Sequence, residues 1–348
     1  MGSGVRWDCR WIPQRHELDR PRGPRYLGGL FQSGSSLSTA VLALGGNALA
    51  HAGEPPTVTN QFRRARESLA PIVELARAGW RIAIVHGNGP QVGDELVRNE
   101  AARRMVEPLP LGVLVAETAG WIGYMLQQSL QNALAVARVQ REVVTVITQT
   151  LVDRYDPALS RPTKPVGHAL SDIQAARLRE LGRVVEKDGS GAWRRMATSP
   201  LPLGIVEFSV VRRLLEQEAI VIAAGGGGPP VYADPFLGLE GVDAVVDKDR
   251  VSAILATQLA AEVLMILTNV DAVFEGWGTS AARPIRRMSV AQAEALIASG
   301  GLDAGGMKPK MEAALQFVRS GGRAIIARLS DGPAALRGET GTTIVREG

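Results

Sequence analysis

Short apolar runs alternate with segments of helical spacing along most of the chain, starting near residue 40. Runs of aliphatic and β-branched residues predict strands over 39–44, 81–86, 142–148, 219–223, 263–268 and 324–327, with 342–345 as an edge strand. Apolar residues at helical spacing predict helices over 58–78, 91–104, 113–138, 171–181, 209–217, 249–259, 290–299 and 309–319. Strands that alternate with helices in this way are typical of a parallel α/β sheet.

Two segments depart from this pattern. Residues 150–204 are rich in Pro, Gly, Arg and Asp and contain a single short helical segment, so we predict a protruding insertion there. Residues 1–39 contain apolar stretches that Arg, Trp, Pro and Gly interrupt, which does not fit a signal peptide. We expect them to form a disordered or non-native extension, followed by one domain over 40–348.

Composition excludes several classes of function. Of the formal net charge of +4, residues 1–39 supply +3, because six arginines there face Asp8, Glu17 and Asp19, so the body is nearly neutral and no nucleic-acid surface is predicted. The single cysteine, Cys9, and four scattered histidines exclude an intramolecular disulfide framework and a Cys-rich zinc site. The longest charge-free run, 118–137, contains Gln and Asn, which excludes a membrane span. We therefore expect a cytoplasmic protein without membrane contact.

The chain uses lysine sparingly. Among 39 basic residues only five are lysine, at positions 164, 187, 248, 308 and 310. A lysine is a compact, flexible point charge, whereas arginine presents a planar fork. Because four of the five lie in Gly- or Pro-marked motifs, we take them as candidates for binding a phosphate-like group.

Three predicted strands end in glycine clusters: Gly45-Gly46-Asn47, Gly87-Asn88-Gly89 and residues 225–228. Glycine at a strand-to-helix turn lets backbone amides approach an anion, at the edge where open α/β sheets bind ligands. No Gly-Lys pair forms a Walker A loop, the glycine spacing after His86 does not fit a dinucleotide site, and no G-x-S-x-G elbow is present. Glycine loops, scattered lysines and Asp249 beside Lys248 suit phosphoryl transfer, which needs positioning and charge stabilisation more than a general base. His86 fits a structural role better than acid–base chemistry.

The motifs together resemble those of carbamate kinases in the amino acid kinase superfamily. They are ALGGNA (43–48), VHGNGPQVG (85–93), PTKPVG (162–167), GGGG (225–228), VDKD (246–249), LTNVD (267–271) and GMKPKMEA (306–313). The resemblance implies a three-layer α/β/α sandwich with an open, mainly parallel sheet. It further implies an acceptor lobe over about 40–205, a nucleotide lobe over about 206–348, and a homodimer.

The implied reaction is reversible: carbamoyl phosphate and ADP give ATP and carbamate, which decomposes to ammonia and carbon dioxide. Lys248 and Lys310 would neutralise the transferring phosphoryl group, Lys164 would close over carbamoyl phosphate, and Asp249 would orient the lysines. Substrate binding, with backbone amide donors in the first two loops, would fall to Gly45, Gly46, Asn47, Gly87, Asn88, Gly89, Gly225, Gly226 and Gly227. Lys248, Thr268, Asn269, Val270, Asp271, Met307 and Lys310 would bind ADP or ATP. Mg²⁺ would be held mainly by the nucleotide phosphates.

Some positions depart from the family pattern. Gly306 and Lys308 flank Met307 where the family has a small residue and glycine, and Gly191 stands where the insertion usually has arginine. Lys308 could contact nucleotide phosphates or be a solvated helix-start charge. Three alternatives stay open: a sibling kinase with another small oxyanion acceptor, a nucleotide-binding protein without turnover, and, as the weakest, nucleic-acid binding by the Arg-rich residues 1–39. Arginine metabolism is the expected setting, although the residues do not separate it from agmatine or purine breakdown.

Overall fold

The computed structural model describes residues 38–45, 57–300, 302 and 306–347. Within them, a mainly parallel sheet runs in the order β15 (Arg287–Ser289), β17 (Thr342–Val345), β16 (Arg323–Arg328), β12 (Val263–Thr268), β1 (Thr39–Leu44), β2 (Arg81–His86), β9 (Ile220–Ile222) and β3 (Val143–Thr145). Only β16 and β17 pair antiparallel in it. The helices of the described chain are α1 (Val58–Glu67), α2 (Ala70–Arg77), α3 (Gly89–Ala102), α4 (Leu111–Val136), α5 (Asp172–Glu180), α6 (Phe208–Glu216), α7 (Lys248–Gln258), α8 (Val290–Ala298), α9 (Met307–Arg319) and α10 (Gly332–Leu336).

Alternation along the strands builds two cores on opposite faces of the sheet. In β1, Val41 and Ala43 pack into one core, and Ala40, Leu42 and Leu44 pack into the other. The first core also contains buried residues of α6, α7, α8 and α9, and the second contains those of α1, α2, α4 and α10. The three-layer α/β/α sandwich expected from the sequence is therefore confirmed.

The predicted insertion is built mostly of strands that the sequence pattern did not indicate. β5 (Lys164–Leu170), β7 (Trp193–Ala197) and β6 (Val185–Lys187) form a small antiparallel sheet in that order. Its own core is small: Ala175, Leu178 and Val185 are buried, with Leu170 and Trp193 packed on them. Arg and Lys at four of the 15 strand positions, with Pro and Gly in β5, hid this sheet from the hydrophobic pattern.

The described residues form two further small sheets. One has the order β11 (Gly238–Gly241), β10 (Pro230–Asp234), β4 (Thr150–Val152) and β8 (Pro202–Ile205), and the other pairs β13 (Val273–Glu275) with β14 (Arg283–Ile285). β4 and β8 bracket the insertion, so the chain leaves and re-enters the body of the fold through adjacent strands.

Three predicted elements need correction. The single helix predicted over 58–78 is two helices. Pro71 lies in the first turn of α2, and in one continuous helix its ring would clash with the preceding turn. Ser68 caps the end of α1, because its hydroxyl donates to the Arg64 and Ala65 carbonyls. The strand predicted over 142–148 is limited to β3. Strand 342–345 is not an edge strand, because β15 pairs with its outer side.

The N-terminal prediction falls almost wholly outside the described residues, which begin at Ser38. Thr39, the last residue of the predicted extension, already belongs to β1, and the Ser38 hydroxyl donates to Glu262 at 2.6 Å.

No helix in the described ranges combines the length and apolar character needed to cross a bilayer.

Candidate active site

The ends of the central strands place the predicted motifs along one edge of the sheet. Leu44 at the end of β1 lies opposite His86 at the end of β2 and Leu267 near the end of β12. Gly45 and Gly87 therefore each follow a strand, as the sequence predicted, and the two strands are parallel neighbours. Gly46 and Asn47 lie outside the described residues.

The amides of these first two glycines already form hydrogen bonds within the sheet. The Gly45 N–H donates to the Leu267 carbonyl and the Gly87 N–H to the Leu44 carbonyl, each at 3.0 Å, which extends the strand pairing by one residue. The expectation that both loops offer amides to an anion is therefore wrong for these two amides. Asn88 and Gly89 instead begin α3: Asn88 is its N-cap residue, and its buried side-chain amide donates to the Thr118 hydroxyl at 2.9 Å.

A buried charge cluster forms where α7 and α9 begin. The Lys248 ammonium lies 2.5 Å from Asp249 Oδ1, and the Lys310 ammonium lies 2.8 Å from Asp249 Oδ2. The three side chains are 12%, 5% and 16% exposed for Lys248, Asp249 and Lys310. One carboxylate thus bridges two ammonium groups that come from residues 62 positions apart in the sequence. This agrees with the expectation that Asp249 orients the two lysines.

Local sequence explains why both lysines sit in first helical turns. Asp247 is the N-cap of α7, and its Oδ1 accepts from the Asp249 amide at 3.0 Å and the Arg250 amide at 3.2 Å. α9 begins after Gly306, whose φ of 70° is left-handed, and Pro309 fits its first turn, where amides have no partner within the helix. A lysine opposes the helix dipole at such an N-terminus, so the adjacent carboxylates offset an unfavourable placement.

Burial and charge act in opposite directions on this cluster. Burial raises the pKa of the Asp249 carboxyl, and the Lys248 and Lys310 ammonium groups lower it. The two ammonium groups have the larger combined effect, so the pKa lies well below the ordinary value. Burial lowers the pKa of Lys248, Asp249 opposes that shift and Lys310 adds to it, and the net pKa lies below the ordinary value. Asp249 therefore favours the charged form of Lys248.

The insertion delivers a third lysine to the same place. Lys164 begins β5, and its ammonium makes an ion pair with Asp247 Oδ2. Burial raises the pKa of Asp247, but Lys164 lowers it and the net shift is downward. Sequence reasoning selected Lys164 but not Asp247. The available signal was an aspartate immediately before the helix that carries Lys248, which is a preferred N-cap position.

The four-glycine run packs between the other motifs. Residues Gly225–Gly227 form a 3-10 turn, and Gly226 has a φ of +67°. A Cβ on Gly226 would lie 2.1 Å from Asn88 Nδ2, and a Cβ on Gly227 would lie 2.3 Å from the Val246 carbonyl. These glycines are therefore required by close packing against the start of α3 and the residue that precedes Asp247.

His86 is a buried residue beside this turn. Its Nδ1 lies 3.1 Å from the Gly87 carbonyl, and burial lowers its pKa to about 4. The imidazole is neutral near pH 7 and is fully enclosed. The structural interpretation of His86 is favoured over acid–base catalysis.

The expected nucleotide residues lie on the same edge of the sheet. Thr268 ends β12, and the exposed Asp271 pairs with Arg328, which ends the neighbouring strand β16. Asn269 is exposed, Val270 is half-buried, and Met307 packs on the first core at the start of α9. Lys308 is exposed in the first turn of α9. In the described residues, no hydrogen bond or ion pair joins residues 268–271 to the charge cluster.

The described residues contain no group of three His, Cys, Asp or Glu side chains that could hold a metal ion. Asp247 and Asp249, the carboxylates of the cluster, are both paired with lysines. These side chains therefore do not fit a resident metal site.

Comparison with known proteins gives a consistent result. The sequence pattern of the Amino acid kinase family matches residues 38–328. The carbamate kinase of Pyrococcus horikoshii is 43% identical over 308 residues, covering 87% of this chain and 98% of that protein. The carbamate kinase of Haemophilus influenzae is 43% identical over 312 residues, covering 88% and 96%. The structure of the Giardia lamblia carbamate kinase bound to AMP-PNP is 36% identical, has a TM-score of 0.81, and is matched over 89% of this chain and 99% of that chain.

Proposed function

The chain belongs to the amino acid kinase family, and from that membership we propose that its charge cluster transfers a phosphoryl group between carbamoyl phosphate and ADP. Carbamate kinase is the activity that the names of its relatives support. The chain is accordingly a kinase, as the sequence predicted.

The observation that carries this proposal is the pair of lysines bridged by Asp249. In phosphoryl transfer, negative charge spreads over the three equatorial oxygens of the moving group, and preorganised cations stabilise it. Lys248 and Lys310 are held 2.5 Å and 2.8 Å from one carboxylate, so their ammonium groups are fixed before substrate arrives. A fixed cation costs no reorganisation when the charge develops.

The neutral His86 supports the same chemistry. Transfer between two oxyanions, carbamate and the β-phosphate of ADP, removes no proton from the nucleophile, so a general base is not needed. His86 has a pKa of about 4, is enclosed, and would be a poor base. Lys248 and Lys310 then stabilise the transferring group, while Lys164 contacts it from the insertion side.

We propose that Mg²⁺ enters with the nucleotide. Both carboxylates of the cluster are paired with lysines, which favours a magnesium ion bound to the phosphates of ADP or ATP as part of the substrate. Residues 268–271 and Met307, beside the cluster on the same edge, are the proposed nucleotide contacts.

The test is ATP formation from carbamoyl phosphate and Mg-ADP, read through hexokinase, with acetyl phosphate as a competing donor. We expect at least about a hundredfold preference in kcat/KM for carbamoyl phosphate, because a buried polar site rejects a donor that lacks a group it pairs with. Equal rates with both donors would indicate a sibling kinase. ADP binding without turnover of either donor would indicate a silent nucleotide-binding protein.

We also propose a homodimer, as the resemblance implies. Apolar side chains on one small sheet and its hairpin favour a covered surface: Leu203 on β8 is 60% exposed, Leu239 on β11 is 44% exposed, and Phe236 and Leu237 between β10 and β11 are 92% and 73% exposed. Light scattering should give the mass of two chains, and Leu203→Asp should lower it. A one-chain mass for the unmodified protein at micromolar concentration would refute the dimer.

Cytoplasmic location and a part in arginine metabolism stay predictions.

A further inference from the structure

Asp247 accepts bonds at both carboxylate oxygens, and the two sets of partners lie in different parts of the fold. Oδ1 accepts the Asp249 and Arg250 amides and so caps α7. Oδ2 accepts the Lys164 ammonium from the insertion. The Asp247 side chain is only 10% exposed, so this pair is shielded from water more than a surface ion pair is.

The rest of the insertion is anchored elsewhere. β5 crosses α3 at Gly93 and Gly167, where a Cβ on Gly93 would lie 2.0 Å from the Gly167 Cα. Arg195 on β7 pairs with Glu100 on α3 at 2.5 Å. These contacts fix the body of the insertion against α3, but they lie in the middle of its strands. Lys164 is the first residue of β5, and its long side chain is 35% exposed, so its ammonium needs a separate partner to be fixed.

Charge balance gives a second reason for this partner. If Asp247 were absent, Asp249 would be the single carboxylate close to three lysines, Lys164, Lys248 and Lys310. The Lys310 charge already lowers the pKa of Lys248. With Asp247 as a second carboxylate, the three lysines and two aspartates together carry a net charge of +1, enough to attract a phosphoryl group while limiting repulsion among the lysines.

We propose that Asp247 is a positioning residue that fixes Lys164 beside the first turn of α7, and so ties the insertion to the lysines that act on the phosphoryl group. This inference rests on the proposed function. It places the Lys164 ammonium next to the cluster before carbamoyl phosphate binds, with a geometry set by the same carboxylate that caps the helix of Lys248.

The test combines Asp247→Asn and Lys164→Met in a double-mutant cycle. Asparagine keeps an oxygen that can cap α7 but removes the charge that holds Lys164. We expect Asp247→Asn to lower kcat/KM for carbamoyl phosphate by about tenfold to a hundredfold, through misplacement of one cation, with KM for ADP within about threefold. In the Lys164→Met background the same substitution should cost less than about twofold.

Asp234 supplies a matched control. Its Oδ1 accepts the Phe236 and Leu237 amides at 2.9 Å and 3.1 Å, and its Oδ2 pairs with Arg154 at 3.1 Å, the same bonding pattern on a hairpin instead of at the cluster. Asp234→Asn should leave kcat/KM within about twofold of the unmodified chain. An equal loss from both substitutions would show that cap or loop damage causes the effect.

Hydrogen exchange gives a readout that does not need turnover. Peptides covering β5 should exchange faster in Asp247→Asn and in Lys164→Met, by similar factors, and not in Asp234→Asn. If Asp247→Asn does not fold, Asp247→Ser, which also caps, takes its place in both measurements.

Additive losses in the cycle, or unchanged exchange in β5, would overturn the proposal. An unmodified chain that makes no ATP from carbamoyl phosphate would refute the proposed function instead. The exchange comparison would still report whether Asp247 holds Lys164.

Discussion

We expect Lys310→Met to lower kcat for ATP formation by about a hundredfold to a thousandfold, the range found when one preorganised donor to a developing negative charge is removed. Lys310 is bound to Asp249 Oδ2 at 2.8 Å and its side chain is only 16% exposed, so its positive charge is held in a fixed place before substrate binds. Methionine keeps the length and apolar stem of the side chain but has no charge. KM for ADP should change by less than about tenfold, because the missing interaction is made mainly in the transition state.

Lys187→Met is the matched control. Lys187 ends β6 in the insertion, and its ammonium lies 4.9 Å from the ring centre of Trp193, remote in sequence from α7 and α9. This variant should keep kcat within about twofold, because it removes an exposed charge and its contact with the Trp193 ring inside the insertion, and no part of the charge cluster. If Lys310→Met keeps kcat within about threefold while Mg-ADP still binds, the assignment of Lys310 to the phosphoryl group is wrong.

Asp249→Asn is expected to change the pH dependence as well as the rate. Burial lowers the pKa of Lys248, and Asp249 is the largest influence that opposes this shift. Without the carboxylate charge the pKa of Lys248 falls further, so the lysine loses its proton at a lower pH. The rate needs the protonated form, and kcat should therefore fall as pH rises through that lowered pKa.

The measurement is kcat from about pH 6 to pH 9 for the unmodified chain and the variant. A lower pKa of Lys248 moves the decrease of kcat with rising pH to a lower pH. We expect kcat of the variant to be about tenfold to a hundredfold lower, with a larger loss at the alkaline end of this range than at the acid end. Asp234→Asn again serves as control, with an unchanged profile. A loss for Asp249→Asn that is the same at every pH would show that Asp249 holds the lysines in place without maintaining their charge.

The central strands could be predicted from the sequence because they are buried on both faces. β1, β2 and β12 begin and end where the apolar runs predict, and the bounds of β17, one strand from the sheet edge, were predicted as well. The position of β17 within the sheet could not be predicted, since its outer neighbour β15 is the three-residue strand Arg-Met-Ser and carries no apolar pattern. The strands of the insertion were not predicted either, because they also lack an apolar pattern: several of their residues are charged, and the core they pack on is small.

The candidate site shows a similar division. Lys248, Asp249 and Lys310 were found from motifs, and the structure brings them into one cluster. The pairing of Asp247 with Lys164 was missed because the two residues are 83 positions apart and come from separate elements. The amides of Gly45 and Gly87 were misjudged because strand pairing one residue beyond the apolar run has no signal in side-chain pattern.

Phosphorus-31 NMR of carbamoyl phosphate mixed with Mg-ADP tests the central claim most directly, because it follows the transferred group itself. With the unmodified chain, the carbamoyl phosphate resonance should decay while the γ-phosphate resonance of ATP grows in equal amount. With Lys248→Met/Lys310→Met, shown to be folded, the transfer should be at least about a thousandfold slower. Inorganic phosphate in place of ATP, or equal transfer by both proteins, would contradict phosphoryl transfer by this cluster.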